Sequence, residues 1–220
     1  MNETNYLELT GHLLSAFGET LEMCGIAILL AIVVGIPLGI VTFATSKGMQ
    51  WENKTINITV GFIINVVRST PFVILLVLLL PFTRLVVGTS IGPEAASVPI
   101  GIVAIAFYAR LVENSLHEVD PGVIEASVAI GATRMKIIRD VLLPEALSGL
   151  IRGLTVTAVS VIGYSAMAGI VGGGGVGDLA IRFGYYRYQT DVMLITVVAL
   201  IIIVQAAQYL GDKVSVKVKK

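Results

Sequence analysis

Three uncharged apolar runs constrain this chain more than any other feature. Met23–Ser46 carries no charged residue over 24 positions, Gly153–Gly177 none over 25 and Val192–Gly211 none over 20. A helix needs about 20 such residues to cross the hydrocarbon core of a bilayer. Each run therefore reads as a membrane span. Composition agrees: charged residues make up 14% of the 220, against about 25% in soluble domains.

The middle of the chain is less regular. Ile56–Val67 is apolar but short, Arg68 interrupts it, and Pro71–Pro81 resumes the pattern. One span over Ile56–Val87, bent or broken near Pro71, accounts for this, because proline lacks the N–H and its ring crowds the preceding turn. Ala95–Leu116 is the remaining span, with Arg110 and Glu113 near its end. The expectation is an all-α polytopic membrane protein with five spans, near 23–46, 56–87, 95–116, 153–177 and 192–211, and a long loop over 117–152. Residues 1–20 lack the basic n-region of a signal peptide, since the first Lys or Arg is Lys47. The lone cysteine, Cys24, sits in an apolar run and has a packing role.

Basic residues set the orientation. The N-terminal tail holds Glu3, Glu8, Glu19 and Glu22 and no Lys or Arg. Lys47 and Lys54 fall in the first loop, and Arg110, Arg134, Lys136, Arg139 and Arg152 around the long one. Lys213, Lys217, Lys219 and Lys220 fall in the tail. With the N-terminus outside and the C-terminus cytoplasmic, 11 of the 15 basic residues lie inside and three outside, Arg68 being the fifteenth. Splitting Ile56–Val87 into two spans would put the first loop and the long loop on opposite sides.

The long loop carries the most information. Asp120-Pro121 is a helix start, with a capping side chain followed by proline at the first helical position. Val123, Ala126, Ser127 and Ile130 recur at helical spacing, with small residues on one face. Gly131 interrupts. A second amphipathic stretch follows, with Met135, Ile138 and Val141 apolar, and Leu143-Pro144 ends it. A short helix with such a face suits a groove on a soluble partner. A helix lying on lipid headgroups has the same pattern.

The spacing Glu125-Ala126-Ser127, three residues, Gly131, nine residues, Val141-Leu142-Leu143-Pro144 resembles the EAA loop of ABC importer permeases, with Ser127 in place of the second alanine and Val141 in place of isoleucine. That resemblance implies a coupling helix seated on an ATPase subunit, with Glu125, Ala126, Ser127, Gly131, Leu143 and Pro144 at the contact. Further segments carry it along the chain: Arg68–Phe72, Leu80-Pro81-Phe82-Thr83-Arg84 with Gly88–Gly92, and Gly169 through the glycine run to Tyr185. Together they resemble the permease subunits of methionine ABC importers. The family implies a type I importer permease fold, with residues 1–220 forming one permease domain in the bacterial cytoplasmic membrane. It implies a homodimer, two copies of an ATPase subunit and an extracytoplasmic methionine-binding protein or lipoprotein. Methionine, including the D-isomer, is the implied substrate. No cofactor, metal or nucleic acid is implied.

The residues themselves exclude an internal motor. There is no Gly-Lys pair, hence no phosphate-binding GxxxxGK[ST], and Gly172-Gly173-Gly174-Gly175 lacks the lysine. Four successive glycines read as a non-helical turn outside the fourth span, lining a pathway or meeting a donor protein. The uncharged spans hold no carboxylate of the kind that proton-coupled carriers use. That disfavours a gradient-driven carrier, the first rival of another class. Neither His12 nor His117 sits within a deep span, which disfavours a membrane enzyme. A permease for another amino acid or an osmolyte is the nearest rival. Arg68 is a charge within a span; its stem can reach toward the cytoplasmic interface, and with Pro71 it has a structural or gating role. Tyr164, Ser165 and Met167 in the fourth span are candidate pathway residues, small or adaptable in shape.

Overall fold

The computed structural model describes residues 6–49 and 51–218. Glu3, Lys219, Lys220 and the side chain of Glu8 lie outside the described residues. Ten α-helical segments follow in order: α1 (Tyr6–Leu30), α2 (Ile36–Thr45), α3 (Lys54–Ser69), α4 (Phe72–Val87), α5 (Pro93–His117), α6 (Pro121–Ala129), α7 (Arg134–Lys136), α8 (Leu143–Ala168), α9 (Gly175–Leu179) and α10 (Thr190–Val218). Wider π-type turns at Ala31–Gly35 and Ile137–Leu142 join α1 to α2 and α7 to α8 without a break.

Those two joints have one cause. Pro37 and Pro144 each stand at the start of the helix that follows a π-type turn. A proline inside a helix clashes with the carbonyl four residues back, here Val33 and Asp140. An extra residue in the turn makes room for it, and the helix continues. Leu143-Pro144 therefore does not end the amphipathic stretch, as the sequence suggested. One continuous helix runs Arg134–Val171, far longer than the expected 153–177. The N-terminal segment is likewise a helix rather than a tail, since Glu19 and Glu22 belong to α1. The separate loop of 117–152 shrinks to the residues between α5 and α7.

Helix α5 is the hub. Ile100, Ala104, Ala109 and Val112 on it are fully buried, and α1, α2, α3, α4 and α8 all pack on it. Close approach is set by small residues. A Cβ on Gly39 would lie 2.6 Å from the Ala109 carbonyl and from Val112, and one on Gly101 would lie 2.7 Å from Leu30. Helix α10 closes on α8 at Gly211, against Thr155.

The break near Pro71 is present and sharper than a kink: α3 and α4 meet at a bend of 111° on either side of it. Each arm is about 24 Å long. Leaning equally, at about 55° from the membrane normal, the two would rise about 28 Å together, close to the hydrocarbon thickness of ~30 Å. Their packing on α5 agrees. Ile64 of α3 meets Ala106 and Ala109, whereas Leu76 and Leu80 of α4 share a small hollow with Ala95, Ala96 and Pro99. The pair therefore advances along α5 from its His117 half to its Pro93 end.

The glycine run differs from expectation. It is a buried hairpin rather than a free turn. Gly172, Gly174 and Gly175 have φ near +80°, which favours glycine, and the Gly173 N–H donates to the Ala168 carbonyl at 2.9 Å. The chain then turns back as α9, and Gly177 lies against the backbone of Ala166 so closely that no Cβ fits. Replacing Gly177 with Ala should cost on the order of 1–3 kcal/mol through overpacking. Gly25→Ala, where nothing lies within 4 Å, should be neutral. Melting temperature and monodispersity in detergent compare the two.

Candidate functional site

The surface helix α6 is capped at both ends. The Asp120 carboxylate accepts from the Gly122 N–H at 2.8 Å, and Pro121 occupies the first turn, where its missing donor costs nothing. At the other end Gly131 takes φ +78°. Its N–H donates to the Val128 carbonyl at 2.9 Å, and the Ala132 N–H donates to the Ser127 carbonyl at 3.1 Å. This pair of bonds around a left-handed residue is a Schellman cap, and it explains the glycine. Ser127 turns inward, its hydroxyl donating to the Val123 carbonyl at 2.7 Å. Ile124 packs beside Ile137 and Leu142 over Phe43.

What remains outside is an apolar face with one charge. Glu125 and Ala126 are exposed, and so are Val123, Val128 and, at 84%, Ile130. Met135, on the apolar side of the expected amphipathic stretch, is exposed, while Ile137 is buried and Ile138 half-buried. Leu143 packs on the core. Pro144 is exposed at the rim of a polar cavity of about 280 Å³ shared with Ser115, Asp120, Glu145 and Arg152.

The three α8 residues predicted together diverge. Tyr164 stacks on Phe72, ring centroids 4.7 Å apart. Ser165 is 1% exposed, donates to the Ile162 carbonyl at 2.8 Å and lies against Cys24. Met167 faces out, with Val156 and Ile170. Ser160 and the exposed Gly163 complete that stripe. The 4-3-4-3 spacing from 156 to 170 is one helix face, and it was there to be found in the sequence. Pro71 ends the break and precedes Phe72, so the break abuts Tyr164. Arg68, exposed on α3, lies with its guanidinium 5.9 Å from the Phe107 ring centroid. Phe107 is ten residues, or about 15 Å, from the His117 end of α5.

At the opposite end of α8 two α1 side chains cap α9. Glu19 Oε2 accepts from the Gly175 N–H at 2.6 Å, and Thr20 Oγ1 accepts from the Val176 N–H at 3.0 Å. No local sequence pattern signals this cap, because donor and acceptor are 156 residues apart.

Long membrane-crossing helices around a central α5, one of them broken, with a capped helix projecting beyond them, define a membrane permease subunit. The chain belongs to the family of binding-protein-dependent transport system inner membrane components, whose model matches residues 31–215. It is 49% identical over 200 residues to a probable D-methionine transport system permease protein MetI of Vibrio cholerae, covering 91% of this chain and 89% of that one. It is 47% identical over 173 residues to the methionine import system permease protein MetP of Bacillus subtilis, covering 79% and 78%. A chain of the inward-facing MetNI methionine ABC transporter matches over 100% of both chains, with TM-score 0.95 and 44% identity. This fold is the type I ABC importer permease fold.

Glu19→Ala should speed hydrogen exchange at Gly175 and Val176 and destabilise the hairpin by about 1.5–3 kcal/mol, the range for a hydrogen bond to a charged group. Glu19→Gln, which keeps an acceptor, should lose less. Exchange followed by mass spectrometry on the hairpin peptide measures both.

Proposed function

We propose that this chain is the permease subunit of an ATP-driven methionine importer, working as a homodimer with two ATPase subunits and an extracytoplasmic methionine-binding protein. The observation that carries this reading is the likeness to the MetNI permease chain over the full length of both. The similarity to relatives described as D-methionine and methionine permeases supports the substrate, including the D-isomer. The basic-residue count supports an outer N-terminus and a cytoplasmic C-terminus.

In this reading α6 is the coupling helix. Its apolar residues Val128 and Ile130, with Ala126, fill a groove on the ATPase, and Glu125 meets a basic or backbone donor there. Leu143 and Pro144 fix the start of α8 behind it. The binding protein docks on the opposite face, near Gly172–Asp191 and Thr83–Glu94. ATP closes the ATPase pair, which has higher affinity for one permease state than the other and so shifts the population between them. The passage between two copies then alternates between sides, with Tyr164 and Met167 along it. Ser165 supports that wall from the protomer interior, against α1.

Nothing lies within 4 Å of a Cβ placed on Gly131, so a side chain there acts through φ and through the docking surface. Gly131→Ala should cost about 1–2 kcal/mol of left-handed strain and leave partial coupling. Gly131→Arg should abolish ATP-driven methionine uptake in proteoliposomes while membrane insertion and basal ATP hydrolysis persist. Normal uptake by Gly131→Arg would refute the coupling role of α6.

A further inference from the structure

We infer that Arg68 faces the water-filled passage at mid-membrane and binds the carboxylate of the amino acid as it crosses. The inference rests on the transport reading above and adds a chemical partner for one residue.

Depth comes first. The guanidinium stacks over Phe107, near the middle of α5, about 15 Å from the His117 end and about 21 Å from the Pro93 end at 1.5 Å per residue. Along α3, Arg68 is fourteen residues from Lys54, which at a lean of about 55° is about 12 Å of rise, more than an arginine stem spans. Across the break, four residues on in the chain, Phe72 stacks on Tyr164.

Neutralisation comes second. Among the described residues Arg68 has no carboxylate within 4 Å, the ion pairs being Arg110–Glu113, Arg139–Asp140 and Arg182–Asp178. A second copy brings no better partner. Met23–Ser46, Gly153–Gly177 and Val192–Gly211 contain no carboxylate, nor do α3 and α4. On α5, Glu94 is thirteen residues from Phe107, about 20 Å, and Glu113 is held by Arg110 at 2.7 Å. A guanidinium within the span and facing lipid is strongly disfavoured. It is exposed on the protomer, and a passage between two copies, as in the transport reading, gives it water rather than lipid. The remaining anion that visits is the cargo. A planar fork of donors matches a carboxylate, and the Phe107 ring holds the guanidinium in place between cargo molecules. The carboxylate is common to all α-amino acids, so Arg68 selects the class, and side-chain selection lies elsewhere.

The test uses the full importer in proteoliposomes, with ATPase and binding protein, in a Cys24→Ala background. Arg68→Gln should lower uptake at least tenfold without loss of co-purifying ATPase subunits, and Arg68→Lys should retain more. Arg68→Cys should react with water-soluble methanethiosulfonates. The trimethylammonium reagent should restore part of the uptake and the sulfonate reagent none. L-methionine should slow the labelling, and L-methioninol, which has an alcohol in place of the carboxylate, should not. An unreactive thiol in the Arg68→Cys variant, equal protection by both compounds, protection by neither, or uptake by Arg68→Gln at more than half the wild-type rate each overturns the inference. If the wild-type importer carries another amino acid, that amino acid and its alcohol replace the pair. The substrate assignment then fails while the carboxylate assignment is still read from the labelling.

Discussion

Backbone-to-backbone contact around α5 underlies the whole arrangement. In lipid, helices gain little from hiding apolar surface from one another, so they associate through close packing and the contacts it allows. Gly39 against Ala109 and Val112, and Gly101 against Leu30, bring α1 and α2 onto α5. Gly149 against Ser115, and Gly153 against Leu111, bring α8 onto its other side. With both long helices fixed this way, the broken α3–α4 pair is left on an outer face, where its apolar residues Phe62, Ile63 and Leu78 stay exposed. That face is free to meet lipid or a second copy.

The polar features fall at three levels of this frame. At one end the doubly capped α6 presents Glu125, Ala126 and Ile130 while Ser127 and Ile124 hold it to the body. At mid-depth the α3–α4 break brings Arg68 and Phe72 beside α5 and Tyr164. At the far end the glycine hairpin is tied to α1 by Glu19 and Thr20. Each level has its own source of order: local caps for α6, a proline break for the middle, and a long-range cap for the hairpin.

How much of this the sequence revealed follows from how local each cause is. The uncharged runs of Met23–Ser46, bar its last residue, and Val192–Gly211 lie within α1–α2 and α10, because hydropathy is a property of the run itself. Asp120-Pro121 and Gly131 were legible for the same reason, as capping is decided within a few residues. Span limits were not: α1 begins at Tyr6, since a helix that packs on its neighbours does not stop at the edge of the apolar zone. Pro144 read as a terminator because the π-type turn that accommodates it leaves no compositional trace. The glycine run read as a loose turn, whereas Gly177 is small because Ala166 lies against it, a contact no local pattern encodes. Ser165 read as one of a trio with Tyr164 and Met167, but three neighbours on a helix point in different directions.

The unbroken helix Arg134–Val171 has a mechanical consequence. Its 38 residues form a rod about 57 Å long, more than the bilayer is thick. The foot stands beside the capped surface helix and the tip beside the glycine hairpin. A tilt of about 5° around its midpoint carries foot and tip in opposite directions by about 2.5 Å each. A single strut thus ties events on the two sides of the membrane together, with the widened turn behind Pro144 near its foot.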